Sequence, residues 1–220
     1  MMHKSLRILL GLLLCTAALL GCAVPTGVGA VIRTAKVPPG ATVAVIGCGG
    51  IGLNCIQGAL LAGASRIVAI DINEGKLRRA VEFGATDIID NSNGDAVEQL
   101  QDLIPGAEGV DYSFEATGLP QTYELAFAVL RIGGTATVIG IASGNITLPA
   151  AAFLRERTFQ GSMMGSVRFR QDLPYLLELY LAGRLKLDEL VTNHIALEDI
   201  NEGYRAISEG STARSIVVFG

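Results

Sequence analysis

The chain has 220 residues, half of them apolar and only 17% charged, with 27 glycines and a formal net charge of −4. That length holds one sizeable domain, or one domain plus a segment, and the composition suits a buried parallel sheet with tight turns rather than a disordered chain. No long basic run occurs, which argues against nucleic acid as a partner.

The chain begins ambiguously. In "MMHKSLRILLGLLLCTAALLGC", Lys4 and Arg7 precede an apolar stretch from Ile8 to Leu20, and a small residue precedes Cys22. That is the outline of a signal peptide, with "LLGC" resembling a lipoprotein cleavage box. Lipoproteins continue after the cysteine with a polar tether, however, whereas "AVPTGVGAVI" is apolar and foldable. The four cysteines, Cys15, Cys22, Cys48 and Cys55, crowd the first quarter and form no C-x-x-C pair. They read as thiols rather than a disulfide framework.

From residue 42 strand and helix patterns alternate. Strands are expected over 42–47, 66–71, 86–90, 109–116, 134–141 and 157–165, and helices over 50–64, 74–84, 95–104 and 120–131. Short β-branched runs alternating with helices of this length imply βαβ units in a parallel sheet, covered on both faces. After Gly165 the pattern changes to two amphipathic helices, 171–183 and 197–210, and a closing strand, 215–219. The expected fold is therefore α/β: a Rossmann doubly wound parallel six-stranded sheet with a C-terminal helical segment.

"GCGGIG" (47–52) is a G-x-G-x-x-G motif that follows one strand and opens a helix, and Asp71 closes the next strand 19 residues after Gly52. That context makes it a dinucleotide fingerprint. Gly47 permits the tight turn, Gly49 lets the backbone approach a pyrophosphate, and Gly52 lets helix pack on strand, with Gly50 a further cofactor-binding residue of the loop. The first-turn N–H groups and the positive end of the helix dipole face the phosphates. Asp71 accepts hydrogen bonds from both ribose hydroxyls and repels a 2′-phosphate, which favours NAD over NADP. Cys48 reads as a space-filling residue.

The segments "LLGCAVPTGVGAV", "VAVIGCGGIGLNCIQGA", "GASRIVAIDINEGKL", "EFGATDIID", "VDYSFEATG", "GGTATVIGI", "RTFQGSMMG" and "INEGYRAISEGSTARSIVVF" follow in order. Together they resemble the cofactor-binding half of zinc-type, medium-chain alcohol dehydrogenases, most of all the glutathione- or mycothiol-linked formaldehyde dehydrogenases. The resemblance runs from residue 17 to 220. It implies a leader-like segment at 1–16, an NAD-binding domain at 17–166, and a segment at 167–220 that in the family packs partly on a catalytic domain.

The resemblance also implies site residues. Cys22 matches the third protein ligand of a catalytic zinc. Thr26 matches a threonine beside the nicotinamide, and Ile51 an aliphatic residue packed on that ring. Lys76 matches a lysine near the adenosine ribose, Thr117 and Ile141 line the cofactor, and Arg214 reaches the pyrophosphate. The family's other two zinc ligands have no counterpart, since His3 lies in the leader and His194 matches no ligand. Zinc is therefore doubtful in this chain, and no catalytic residue is assigned.

The expected function is hydride transfer between a small alcohol, or a thiol–formaldehyde adduct, and NAD(H) in the full-length family, with this portion inactive alone. The alternatives are a stand-alone NAD-binding module and an exported or lipid-anchored protein. A homodimer is expected through the sixth strand, with Ser162 supplying an edge amide. The expected location is the cytoplasm, with a membrane involved only if residues 1–22 act as a leader.

Overall fold

The computed structural model describes residues 18–106, 108–208 and 214–219, and the leader-like segment at 1–16 lies outside them. Residues 24–168 form one compact unit, and the described parts of 1–23 and 169–220 form another.

In the first unit six strands make one sheet: β1 (Thr42–Ile46), β2 (Arg66–Asp71), β3 (Asp87–Asp90), β4 (Val110–Glu115), β5 (Leu130–Val138) and β6 (Thr158–Gly161). Their order is β3-β2-β1-β4-β5-β6 and every pairing is parallel. This is the doubly wound order, reversing between β1 and β4. The helices are α1 (Ala23–Gly29), α2 (Gly50–Ala62), α3 (Glu74–Glu82), α4 (Ala96–Leu103), α5 (Pro120–Ala128) and α6 (Ala150–Phe153).

Sequence explains most of these elements. The run from Val43 to Ile46 is buried, as a central strand covered on both faces requires. Ile46, Ile70, Ile89, Leu100, Phe127 and Leu130 belong to one buried cluster, and each such side chain contributes about 1.5–3 kcal/mol when taken from water. Helix α2 is buried throughout residues 52–59, the polar ones included, so it has no polar face. Its two interior amides are nonetheless satisfied: Asn54 Nδ2 donates to the Gly50 carbonyl at 2.7 Å, and Gln57 Nε2 to Asn54 Oδ1 at 3.2 Å. Asn73 caps α3, its side chain accepting from the Lys76 N–H at 3.0 Å.

Several boundaries differ from expectation. Helix α5 stops at Ala128 and not at 131. Val129 and Leu130 are drawn into the sheet, where the Val110 N–H donates to the Val129 carbonyl at 2.9 Å and Leu130 pairs with Val110. Strand β5 thus starts earlier and ends at Val138. Strand β6 covers only Thr158–Gly161, because Met164, Gly165 and Ser166 all take positive φ and close a 3₁₀ turn. Sequence reading assigned nothing to residues 23–41, where α1 continues into a π-helical turn, Ala30–Ala35. That stretch is held by tertiary contact, with Thr34 Oγ1 lying 2.8 Å from Ser162 Oγ and 2.9 Å from Ser166 Oγ.

The second unit contains a 3₁₀ turn (Ala18–Gly21), α7 (Phe169–Leu181), β7 (Asn193–Ile195), α8 (Ile200–Ser208) and β8 (Ser215–Val217). The C-terminal segment is not purely helical: β7, which was not foreseen, pairs in parallel with β8. Among the described residues no helix is long and apolar enough to cross a membrane.

At the N-terminal ends of β1, β4 and β5, Asp111 joins three strands. Its Oδ2 accepts from the Thr42 N–H and hydroxyl, both at 2.7 Å, and its Oδ1 accepts from Arg131 Nε at 2.6 Å. Burial alone would raise the Asp111 pKa, but the Thr42 hydrogen bonds and the Arg131 guanidinium outweigh it and hold the carboxyl below its ordinary value. A depressed folded-state pKa adds stability that is present above the unfolded value and is lost as pH falls through the folded one. Asp111→Asn should therefore cost about 1 kcal/mol at pH 7, discounted for partial solvent screening. That cost should shrink as pH falls below the ordinary carboxylate range. Urea denaturation of both proteins across that range measures it.

Candidate cofactor-binding site

The sheet order opens a crevice where the chain reverses direction, between the C-terminal ends of β1 and β4, and dinucleotides bind at this place in doubly wound sheets. The turn after β1 is tight. Gly47 has φ +90°, and its N–H donates to the Ile70 carbonyl at 2.8 Å. A Cβ on Gly52 would overlap the Gly47 carbonyl oxygen. Only glycine at both places lets α2 start directly on the end of β1. Gly49 differs, because a Cβ there would meet nothing within 4 Å. It faces open space beside the first turn of α2, which begins at Gly50 and whose N–H groups have no partner within the helix. Such a cradle fits a phosphate.

Asp71 ends β2 and is tied into this loop. Its Oδ2 accepts from the Cys48 N–H at 2.7 Å, and its Oδ1 from the Asn73 N–H at 3.0 Å. The carboxylate that would meet a ribose therefore also holds the glycine loop. Lys76, half-buried on α3, lies close enough for its charge to act on Cys48. Cys48 is 2% exposed. Burial first, then the Asp71 charge, push its thiol far up against the opposing effect of Lys76. Cys55 is likewise buried with a raised pKa, so neither thiol is a reactive thiolate.

Thr117 follows β4 and is exposed. A Cβ on Gly47 would overlap its Oγ1, so the glycine loop and the turn after β4 touch. Ile141, in the turn after β5, is 97% exposed, and its backbone lies against Gly118. Gly47, Gly49, Gly50, Gly52, Asp71, Lys76, Thr117 and Ile141 thus gather on the turns at the C-terminal ends of the strands and on the helices those turns open. Ile51, on the first turn of α2, is half-buried. Thr26 is buried on α1, its hydroxyl donating to Met164 Sδ at 3.7 Å, and so sits beside the turn after β6. Cys22 and Arg214 belong to the other unit. Cys22 is an exposed free thiol, and the Arg214 backbone is bonded to Thr192 at the start of β8.

Sequence reading passed over Glu115, the last residue of β4. It is fully buried, and its Oε1 accepts hydrogen bonds from Thr117 N–H, Gly118 N–H and the Thr122 hydroxyl. The available signal was an acid inside the apolar run "VDYSFEA". Nearby, the Tyr123 hydroxyl donates to the Gly140 carbonyl. Burial, then the Glu115 charge, raise its pKa.

Residues 50–182 match the family described as zinc-binding dehydrogenase. The chain belongs to the zinc-binding dehydrogenase family. It is 44% identical over 203 residues to the probable S-(hydroxymethyl)glutathione dehydrogenase 1 of Schizosaccharomyces pombe, covering 90% of this chain and 53% of that protein. It is 38% identical to the class-3 alcohol dehydrogenase of Cereibacter sphaeroides, covering 91% and 56%. A solved alcohol dehydrogenase zinc-binding domain protein from Burkholderia ambifaria superposes with a TM-score of 0.87 at 33% identity, covering 92% of this chain and 55% of that one. The chain therefore spans about half the length of the curated relatives it matches.

The family name implies zinc, and the donor set here does not fit it. Among the described residues no group of three His, Cys, Asp or Glu is placed to hold a metal, whereas a catalytic zinc takes three protein ligands.

The glycine loop predicts a contrast. Gly52→Ala forces backbone against backbone and should destabilise by more than about 3 kcal/mol. Gly49→Ala, at the helix N-cap with open space beside it, should cost less than about 1 kcal/mol. Thermal melts of the two variants decide between them.

Proposed function

We propose that this chain is the nicotinamide-dinucleotide-binding portion of an alcohol or thiol–formaldehyde-adduct dehydrogenase, and that NAD(H) is its cofactor. The observation that carries the reading is the pairing of the open cradle at Gly49 with Asp71 at the end of the neighbouring strand. When bound, the nicotinamide accepts or donates a hydride. The chain's own residues bind and orient it. Amides at the start of α2 receive the pyrophosphate, helped by Gly50 and the helix dipole. Asp71 takes the adenosine ribose hydroxyls, with Lys76 beside it. Thr26, Ile51, Thr117 and Ile141 border the nicotinamide half. Among the described residues Cys22 has no ligand group around it, so these residues bind and orient the cofactor rather than hold a zinc-bound alcohol. Zinc-dependent NADH formation from ethanol or a formaldehyde–glutathione adduct, lost in Cys22→Ser, would overturn that division of labour.

Asp71 should make the site prefer NADH to NADPH by about tenfold or more, since a carboxylate accepts hydroxyl protons but repels a phosphate. In Asp71→Asn the charge is gone and the amide oxygen can keep the Cys48 bond, at the loss of the Asn73 one. Calorimetric titration should show the gap narrowing in that variant. Equal affinities in the unmutated chain would refute the assignment.

We also infer a homodimer through β6. This strand is the edge of the sheet, and an unpaired edge is a template for a second chain. The outward donor is not Ser162, because its N–H is used inside the sheet on the Val138 carbonyl at 2.9 Å. Strand alternation turns the Gly161 N–H outward instead. Gly161→Pro should convert a dimer to a monomer in light scattering. A monomer before the change would sink the inference.

A further inference from the structure

A buried carboxylate at the end of a central strand costs stability unless all its lone pairs are met, and an apolar residue of similar size would serve the sheet at least as well. Glu115 is fully buried, and only one of its oxygens is used. Oε1 accepts three hydrogen bonds, from Gly118 N–H at 2.7 Å, Thr117 N–H at 2.8 Å and Thr122 Oγ1 at 2.8 Å. Oε2 has no hydrogen-bond partner among the described residues. All three donors lie in the turn after β4 and the start of α5, so the side chain works on that turn and leaves the sheet's own ladder alone.

The turn so held is the hub of the crevice wall. Thr117 touches the glycine loop at Gly47. Gly118 has φ +88°, and a Cβ there would lie 2.8 Å from the Ile141 carbonyl oxygen, so the turns after β4 and β5 are in backbone contact. A Cβ on Gly140 would in turn lie 2.8 Å from Glu115 Oε2. The Glu115 carbonyl receives the N–H groups of Ile139 at 2.9 Å and Gly140 at 3.2 Å. One residue therefore ties together the turns after β4 and β5 and, through Thr117, the glycine loop. In a doubly wound sheet the two halves of a dinucleotide lie on opposite sides of the switch point. Asp71, on β2, marks the adenosine side, so the turns that Glu115 holds lie on the nicotinamide side.

We propose that Glu115 is a positioning residue that fixes the Thr117–Gly118 backbone and thereby sets affinity for the nicotinamide half of the cofactor. This rests on the dinucleotide reading of the site. The test is titration of the whole chain with NADH and, separately, with 5′-AMP as a probe of the adenosine half, in the unmutated protein, Glu115→Ala, Glu115→Gln and Thr122→Val. Glu115→Ala should weaken NADH about tenfold and leave AMP unchanged, since a charge-assisted set of hydrogen bonds is lost on one side only. Glu115→Gln should restore most of the loss, because its amide oxygen accepts from the same donors. Thr122→Val removes one donor without emptying the core, so it reports even if Glu115→Ala does not fold, with about a threefold loss for NADH alone. Unchanged NADH affinity in the folded variants, or equal losses for NADH and AMP, would overturn the positioning role. An unmutated chain that binds neither ligand would overturn the dinucleotide reading itself.

Discussion

Helix α2 starts on the last residues of β1 with no room for a side chain between them. The Gly52 Cα sits where any Cβ would enter the Gly47 carbonyl oxygen, and Gly47 itself has a positive φ. Much of the crevice follows from that approach. It draws α2 into the protein, with residues 52–59 all buried, and the Asn54 amide finds a partner within the helix. It also leaves the helix N-terminus at the floor of the crevice, where its unpaired amides and dipole form a positive lip. Gly49 lies on that lip with nothing beside it.

Two carboxylates complete the crevice from either side of β1. Asp71, on β2, accepts the Cys48 amide of the glycine loop. Glu115, on β4, accepts the amides of the turn that touches Gly47. Each is an acid at the end of a parallel strand, and each holds a backbone turn rather than an opposite charge. Hydrogen bonds from backbone N–H to carboxylate do this well, because they are stronger than neutral ones and their donors have no rotamers to lose. Asp71 remains half-exposed and open to a ligand, whereas Glu115 is sealed. That difference separates a group suited to touch a cofactor from one suited to place others.

At the far ends of the strands the side chains of Asp111, Thr42 and Arg131 join β1, β4 and β5. The two ends of the sheet are thus built differently. One is closed by side-chain hydrogen bonds and an ion pair, the other left open by small residues. Belonging to the zinc-binding dehydrogenases accounts for the open end. The described residues themselves gather no metal-ligand cluster.

Read alone, the residues determined the strand and helix order, the parallel sheet, the glycine turn and the acid paired with it. Those features are local: β-branched runs, glycines at fixed offsets, and Asp71 one strand later all leave their mark within about thirty residues, the span of a βαβ unit. What the tertiary structure alone decided is non-local. Leu130 is as apolar as a helix end or a strand start, and only Val110 on the adjacent strand assigns it to β5. The helical path through 23–35 lacks a polar face to reveal its period. Strand β7 exists because Ser215–Val217 lies beside it. Ser162 was read as an edge amide, and Val138 claims it. Glu115 in sequence is one acid in an apolar run. Its meaning comes from three donors that the chain returns to its oxygen only after the turn has folded back, an arrangement set by packing and not by composition.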